Sequence, residues 1–181
     1  MRILIAYASI EGQTEKIAHR IAETLEHHGA HPLLVNTRNR MDFPRQEGCD
    51  GLIAGGPLHR EHHPHELGQW LGNHRRDWAD LPIAFFSVSL SAASDRQQDL
   101  DDAQRVMWQF LDEIGMHPDM TATIAGALKY SRYGFFKKRI MRNIVKKSGG
   151  KELDMSRDYE YTDWQQVDRF ANDFLASISR K

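Results

Sequence analysis

The sequence predicts an α/β protein: a doubly wound parallel sheet covered by helices on both faces, forming a single domain over residues 1–181. Three observations carry that prediction. Five short runs are apolar at nearly every position, and strands of that kind belong to parallel sheets buried on both sides. Segments with helical spacing alternate with these runs, and right-handed crossovers then leave only doubly wound arrangements. Finally, 181 residues with 40% hydrophobic and 27% charged side chains suffice for one ordinary core and are unlike a disordered chain.

Residues 2–8, bounded by Ser9 and Gly12, read as the first buried strand. From Thr14 to His28 the positions Ile17, Ala18, Ile21, Ala22 and Leu25 follow helical spacing, and Gly29 stands where a C-terminal cap belongs. Pro32–Asn36 is the second strand, residues 37–49 are polar and irregular, and Asp50–Gly55 is the third strand. Pro64, tolerated in a first helical turn, opens a helix to Trp78. Pro82–Ser89 is the fourth strand, Ser91–Asp95 a loop of small residues, and a helix from Gln98 to Ile114 stops at Gly115. Thr121–Ala127 is the fifth strand, after which a basic insert occupies 129–160. Thr162-Asp163-Trp164-Gln165 reads as a capping box that starts a last helix through Phe170, Phe174 and Leu175. No repeat, low-complexity tract or dividing linker interrupts this order.

One cysteine, Cys49, excludes a disulfide framework and a cysteine-based zinc site. The apolar run at the N-terminus is too short for a signal peptide or a membrane span, so a cytoplasmic location is expected. The net charge of −1 hides a separation: residues 129–151 hold nine Lys/Arg and no Asp/Glu, and the remainder, with 15 basic and 25 acidic residues, carries −10. From charge alone such a segment is either a site for an anionic partner or a solvated basic helix.

Ligands of doubly wound sheets bind outside the carboxyl ends of the strands. Three loops of this chain belong there. The first is Ser9-Ile10-Glu11-Gly12-Gln13-Thr14. Its two hydroxyls, its glycine and the free N–H groups of a helix start make a phosphate cradle. It lacks the lysine of a triphosphate-binding loop, so a monophosphate fits better, and Glu11 is expected to point to solvent. The second loop begins Gly55-Gly56-Pro57-Leu58-His59 and runs through His62 and His63 to His65. Its glycines would let the backbone approach a planar ring, and its free amides would bond the ring's polar edge. The histidines are irregularly spaced without an HExxH motif, so no metal is expected, and they are read as exposed or substrate-facing. The third loop, Ser87-Val88-Ser89-Leu90-Ser91-Ala92-Ala93-Ser94, would close over the other edge of the ring.

The Ser-x-x-Gly-x-Thr loop, the Gly-Gly-Pro loop and the Ser-rich loop, in this order, resemble a flavodoxin-like fold that binds FMN. That resemblance implies strand order 2-1-3-4-5. Three later blocks narrow the match: 125–133 (Ala-Gly-Ala-Leu-Lys-Tyr-Ser-Arg-Tyr), 147–150 (Lys-Ser-Gly-Gly) and 161–164 (Tyr-Thr-Asp-Trp). With them the whole chain is similar to the menaquinone-dependent protoporphyrinogen IX dehydrogenase family. The family implies oxidation of protoporphyrinogen IX to protoporphyrin IX in haem biosynthesis, with FMN as mediator and a membrane quinone, menaquinone or another, as acceptor. It also implies peripheral association with the inner membrane and no nucleic-acid partner. The chain departs from electron-carrier flavodoxins in two respects, the first being a less acidic balance owing to residues 129–151. Its second and third loops contain no Trp, Tyr or Phe, so the flavin should be open on at least one face, as a large flat substrate requires.

In a helix from Tyr133 to Lys147, Phe136, Ile140, Met141, Ile144 and Val145 gather on one half of the surface, with Lys138, Arg139, Arg142 and Lys146 on the other. Lys137 and Lys147 intrude on the apolar half and are long enough to snorkel. Such a helix lies on an anionic membrane, pairs with the propionates of a porphyrinogen, or packs on the body. Phe135, Phe136 and Ile140 offer a tetrapyrrole an apolar face, and Arg132, Lys137, Lys138, Arg139 and Arg142 offer cations. No side chain is singled out as general base; His59, His62 and His63 are candidates by proximity alone. Two other readings stay open: an electron-carrier flavodoxin, and a nicotinamide-dependent flavin quinone reductase.

Overall fold

The computed structural model describes residues 1–39, 48–128 and 158–179. A five-stranded parallel sheet forms its centre, in the order β2-β1-β3-β4-β5. The strands are β1 (Arg2–Tyr7), β2 (His31–Asn36), β3 (Gly51–Pro57), β4 (Ile83–Ser89) and β5 (Met120–Ala125). The helices are α1 (Gln13–His27), α2 (His65–Asn73), α3 (Arg75–Trp78), α4 (Gln97–Glu113) and α5 (Trp164–Ile178). Beyond β5 the chain forms β6 (Ala127–Leu128), which pairs antiparallel with β7 (Tyr159–Glu160). The helix expected over 133–147 lies outside the described residues.

The reason each strand is apolar throughout is visible in β1. Ile3 and Ile5 face α1 and α5, where Ile17, Ile21, Val167, Phe170 and Phe174 are buried. Leu4 and Ala6 face the opposite helices, with Leu67, Trp70, Leu71, Met107 and Leu111. The adjacent residues Phe85 and Phe86 divide between the two cores in the same way, and both are fully buried. Burying a side chain of that size contributes about 1.5–3 kcal/mol, so either face would be left bare if its helices were removed.

The expected stops hold where glycine supplies a left-handed residue. Gly29 has φ +78°, its N–H reaches the Glu26 carbonyl, and the next N–H, of Ala30, reaches that of Leu25. Gly115 ends α4 in the same way with φ +62°, paired to Asp112, while Met116 bonds back to Leu111. These pairs satisfy carbonyls that a helix end leaves open. The helix expected from Pro64 to Trp78 is instead two. It breaks at His74, whose N–H bonds the Trp70 carbonyl and whose ring stacks on Trp70 at 4.6 Å. The capping box is also displaced by one residue. Asp163, not Thr162, caps α5, with Oδ1 accepting from the Gln165 and Gln166 amides at 2.9 and 3.2 Å.

The register brings the carboxyl ends together: Tyr7 lies opposite both Asn36 and Gly55, Pro57 opposite Val88, and Ser89 opposite Ala125. The loops that follow β1, β3 and β4 therefore leave the same edge of the sheet.

Candidate functional site

The first loop forms a built cradle. Gly12 takes φ +88° and stands immediately before α1. The amides of Gly12 and Glu15 converge on Ser9 Oγ at 3.1 and 3.3 Å. An oxygen thus already sits where the α1 N-terminus gathers its donors, the place an anion favours. Gln13 and Thr14 are buried, and Gln13 Oε1 has no hydrogen-bond partner. Ile10 is turned outward, 44% exposed. Arg38 donates to the Ser9 carbonyl at 2.9 Å and brings positive charge against this loop. At the loop's base Tyr7 donates to Glu15 at 3.3 Å; burial and the neighbouring carboxylate push its hydroxyl up to about 12.

Glu11 does not point into solvent as expected. Its carboxylate turns to His59 Nε2 at 3.5 Å, joining the first loop to the second. The awkwardness of a carboxylate beside a phosphate cradle is met by directing it to an imidazole.

The second loop differs from its sequence reading in two ways. A Cβ on Gly55 would stand 2.2 Å from the Phe86 ring, and one on Gly56 would stand 2.7 Å from Leu67 Cδ2. Core packing therefore requires both glycines, whatever approaches from outside. The expected free amides are also partly engaged. Leu58 N–H bonds the Val88 carbonyl, and His59 and His62 bond each other in both directions around a tight turn. Arg60 and Glu61 at its tip have φ +48° and +65°. Side-chain residues at such angles store backbone strain, which fixes the loop's shape.

The three candidate histidines are not equivalent. His59 and His62 are exposed. His63 is buried. Only 7% exposed, it packs against Phe85 and Phe110, with Nε2 3.3 Å from Ser87 Oγ. Burial lowers its pKa to about 4, so it is a neutral ring beneath the loop.

The third loop, after β4, turns through a short 3-10 segment at Ser91–Ala93. Ser89 Oγ accepts from the Ala92 amide at 3.1 Å, and the Ser89 carbonyl accepts from Gly126. Leu90 projects outward, 42% exposed, opposite in sequence order to the exposed Ile10 of the first loop. The structure thus gathers Ser9–Thr14, Gly56–His59 and Ser87–Ser94 on one edge, while Arg132, Phe135, Phe136, Lys137, Lys138, Arg139, Ile140 and Arg142 lie outside the described residues.

Sequence reasoning missed a group at the start of α5. Thr162 Oγ1 donates to the Ala125 carbonyl at 2.7 Å and accepts from Gln13 Nε2 at 2.9 Å. Glu160 accepts from Lys16 at 2.9 Å and from Trp164 Nε1 at 3.1 Å. The Tyr-Thr-Asp-Trp block signalled these contacts, but a capping box accounted for its threonine too readily.

Residues 4–154 match the family model described as a flavodoxin domain. Over 181 residues the chain is 31% identical to the protoporphyrinogen IX dehydrogenase [quinone] of Escherichia coli strain K12, covering 100% of this chain and 98% of that one. A protein of the same name from Leishmania major is 29% identical over 178 residues, 97% of this chain and 75% of its own. Among solved structures, oxidised flavodoxin 1 from Bacillus cereus superposes with a TM-score of 0.57 at 14% identity, covering 97% and 98% of the two chains. The fold, the position of the three loops and these relatives agree: the chain belongs to the flavodoxin-domain family and, within it, to the branch of the protoporphyrinogen IX dehydrogenases [quinone].

Proposed function

We propose that this flavin oxidoreductase uses FMN to oxidise protoporphyrinogen IX to protoporphyrin IX and passes the electrons to a membrane quinone, with menaquinone as the natural acceptor. The observation that carries the reading is the lysine-free cradle at Ser9–Thr14. The Gly12 and Glu15 amides gather on the Ser9 hydroxyl, Gly12 adopts a left-handed φ, and Gln13 Oε1 is an unpartnered buried acceptor. Those features fit a monophosphate carried on a hydroxyl-bearing chain.

When bound, the flavin supplies the redox chemistry. The chain's own residues bind and orient. Ser9, Gly12, Thr14 and the backbone amide of Gln13 hold the phosphate end, with Ile10 and Glu11 completing the turn. Gly56–His59 and Ser87–Ser94 flank the ring. Ile10 and Leu90 present exposed aliphatic side chains on the first and third loops. His59 and His62, being exposed, remain the candidates for taking protons released from the substrate, whereas His63 is withdrawn from contact. Among the described residues no helix is long and apolar enough to cross a membrane. The proposed attachment to the membrane therefore rests on the charge of residues 129–151.

Anaerobic turnover tests the reading. Porphyrin fluorescence should appear when FMN-loaded protein receives protoporphyrinogen and a quinone, at a rate far above that with nicotinamide donors and the same quinone. Equal or faster nicotinamide oxidation would assign a quinone reductase. Flavin reduction without any porphyrin product would assign an electron carrier.

A further inference from the structure

The network around Gln13 fixes its amide in one orientation. The Ala125 carbonyl can only accept, so the Thr162 hydroxyl donates its single proton there, across 2.7 Å. Toward Gln13 the hydroxyl can then only accept, and the group 2.9 Å away must be the amide nitrogen. The Glu160 carboxylate stands on the same side. It accepts from Lys16 and Trp164. The nitrogen end of the Gln13 amide is thus drawn toward the end of β5 and the start of α5, and the choice between the two ends of the amide is settled by chemistry. The carbonyl end, Oε1, is left buried and without a partner on a side chain that is only 6% exposed. A buried unpartnered acceptor is destabilising unless something fills it.

We infer that Thr162 is a positioning residue for the cofactor. By holding the Gln13 amide nitrogen, it keeps Oε1 as an acceptor for a hydroxyl of the chain that links the flavin ring to its phosphate. This inference rests on the FMN reading above. The sign of the group selects the ligand atom. A phosphate oxygen is itself an acceptor and would be repelled by Oε1, whereas a polyol hydroxyl donates to it. The same residue therefore separates two parts of one ligand: the amides of the first loop take the phosphate, and Gln13 takes the chain. It also explains why the threonine next to the helix cap does no capping. Asp163 performs that task, and Thr162 faces the other way.

The test compares FMN with a flavin phosphate whose linking chain is a plain five-carbon alkyl group, each titrated by quenching of flavin fluorescence. Wild-type protein should bind FMN about tenfold tighter than the alkyl analogue, the worth of roughly 1.4 kcal/mol. Thr162→Val, which keeps the volume and removes the hydroxyl, should lose most of that preference by weakening FMN binding while leaving the analogue unchanged. Thr162→Ser should restore it, and Gln13→Leu should abolish it as Thr162→Val does. The serine and leucine variants keep the question open to refutation if the valine variant misfolds. If Thr162→Val weakens both ligands equally, or if wild type shows no preference, Thr162 is structural and the inference is overturned. If wild type binds neither flavin phosphate, the FMN reading itself fails, and this inference falls with it.

Discussion

Two residues show how a local conformation decides what a site can hold. Gly12 sits at φ +88°, where any residue with a Cβ is strained and a β-branched one is a severe outlier. Gly12→Val should therefore weaken FMN binding at least tenfold in a fluorescence titration while the far-ultraviolet circular dichroism stays native, because the core does not include this residue. His63 makes the complementary point. Its folded pKa of about 4 lies below its ordinary 6.5, so the folded protein holds the ring neutral while the unfolded chain protonates it. The resulting stability is complete above pH 6.5 and is lost as pH falls toward and through 4. At about 1.4 kcal/mol per unit, it amounts to about 3 kcal/mol. Urea unfolding at pH 7 and pH 4 should show wild type losing more stability than His63→Gln by an amount of that order; equal losses would mean that the ring is not held neutral. Position in sequence hinted at none of this. Four histidines in one loop look alike until Phe85 and Phe110 enclose one of them. Gly55 and Gly56 were likewise legible as necessary but not for their reason, because the rings and methyls that exclude a Cβ come from β4 and α2.

At the scale of elements, the helices and strands that bury a continuous face were readable because the burial pattern is the pattern of residue types. Strands apolar at both odd and even positions implied helices on both sides, and the two cores fill those sides. What escaped was set by single contacts. The break between α2 and α3 follows the His74 ring stacking on Trp70, which no periodicity contains. The short β6–β7 ribbon joins residues more than thirty positions apart. The cap of α5 fell one residue from its expected place because Thr162 and Asp163 are both good cap residues, and the Ala125 carbonyl claims the first. The assignment is checkable by stability alone. Asp163→Ala removes the oxygen that accepts from Gln165 and Gln166 and should cost about 1 kcal/mol. For a domain of this size that is a fall in Tm of about 2–4 °C, with FMN affinity retained. A fall in affinity without a fall in Tm would mean that Asp163 serves the site rather than the helix.

Over the whole molecule the governing feature is the separation of charge, with a body of net −10 and nine cations within residues 129–151. The chain enters this segment from β6 and leaves it at β7, on the carboxyl side of β5 and close to the first turn of α1 through Lys16 and Glu160. The proposed substrate is a dianion with an apolar body, and the proposed acceptor is dissolved in an anionic membrane. Under the proposed function, a cationic segment between β6 and β7 would serve both. A charge-assisted hydrogen bond to a carboxylate contributes about 1.5–3 kcal/mol, and about 1.4 kcal/mol is one decade in affinity. Replacing Arg132 and Arg139 together by Gln should therefore raise the KM for protoporphyrinogen at least tenfold. FMN binding should not change, because the proposed flavin site lies in the strand-end loops, and chemically reduced protein should still reduce a soluble quinone. Binding to vesicles separates the two uses of the charge. Each cation near an anionic surface contributes about 1 kcal/mol, so the double variant should bind anionic vesicles more weakly, with the residual binding falling as salt rises. Weaker vesicle binding with an unchanged KM would make the segment a membrane anchor alone. Loss of FMN in the same variant would place the segment in the cofactor site and end the division of labour between loops and insert.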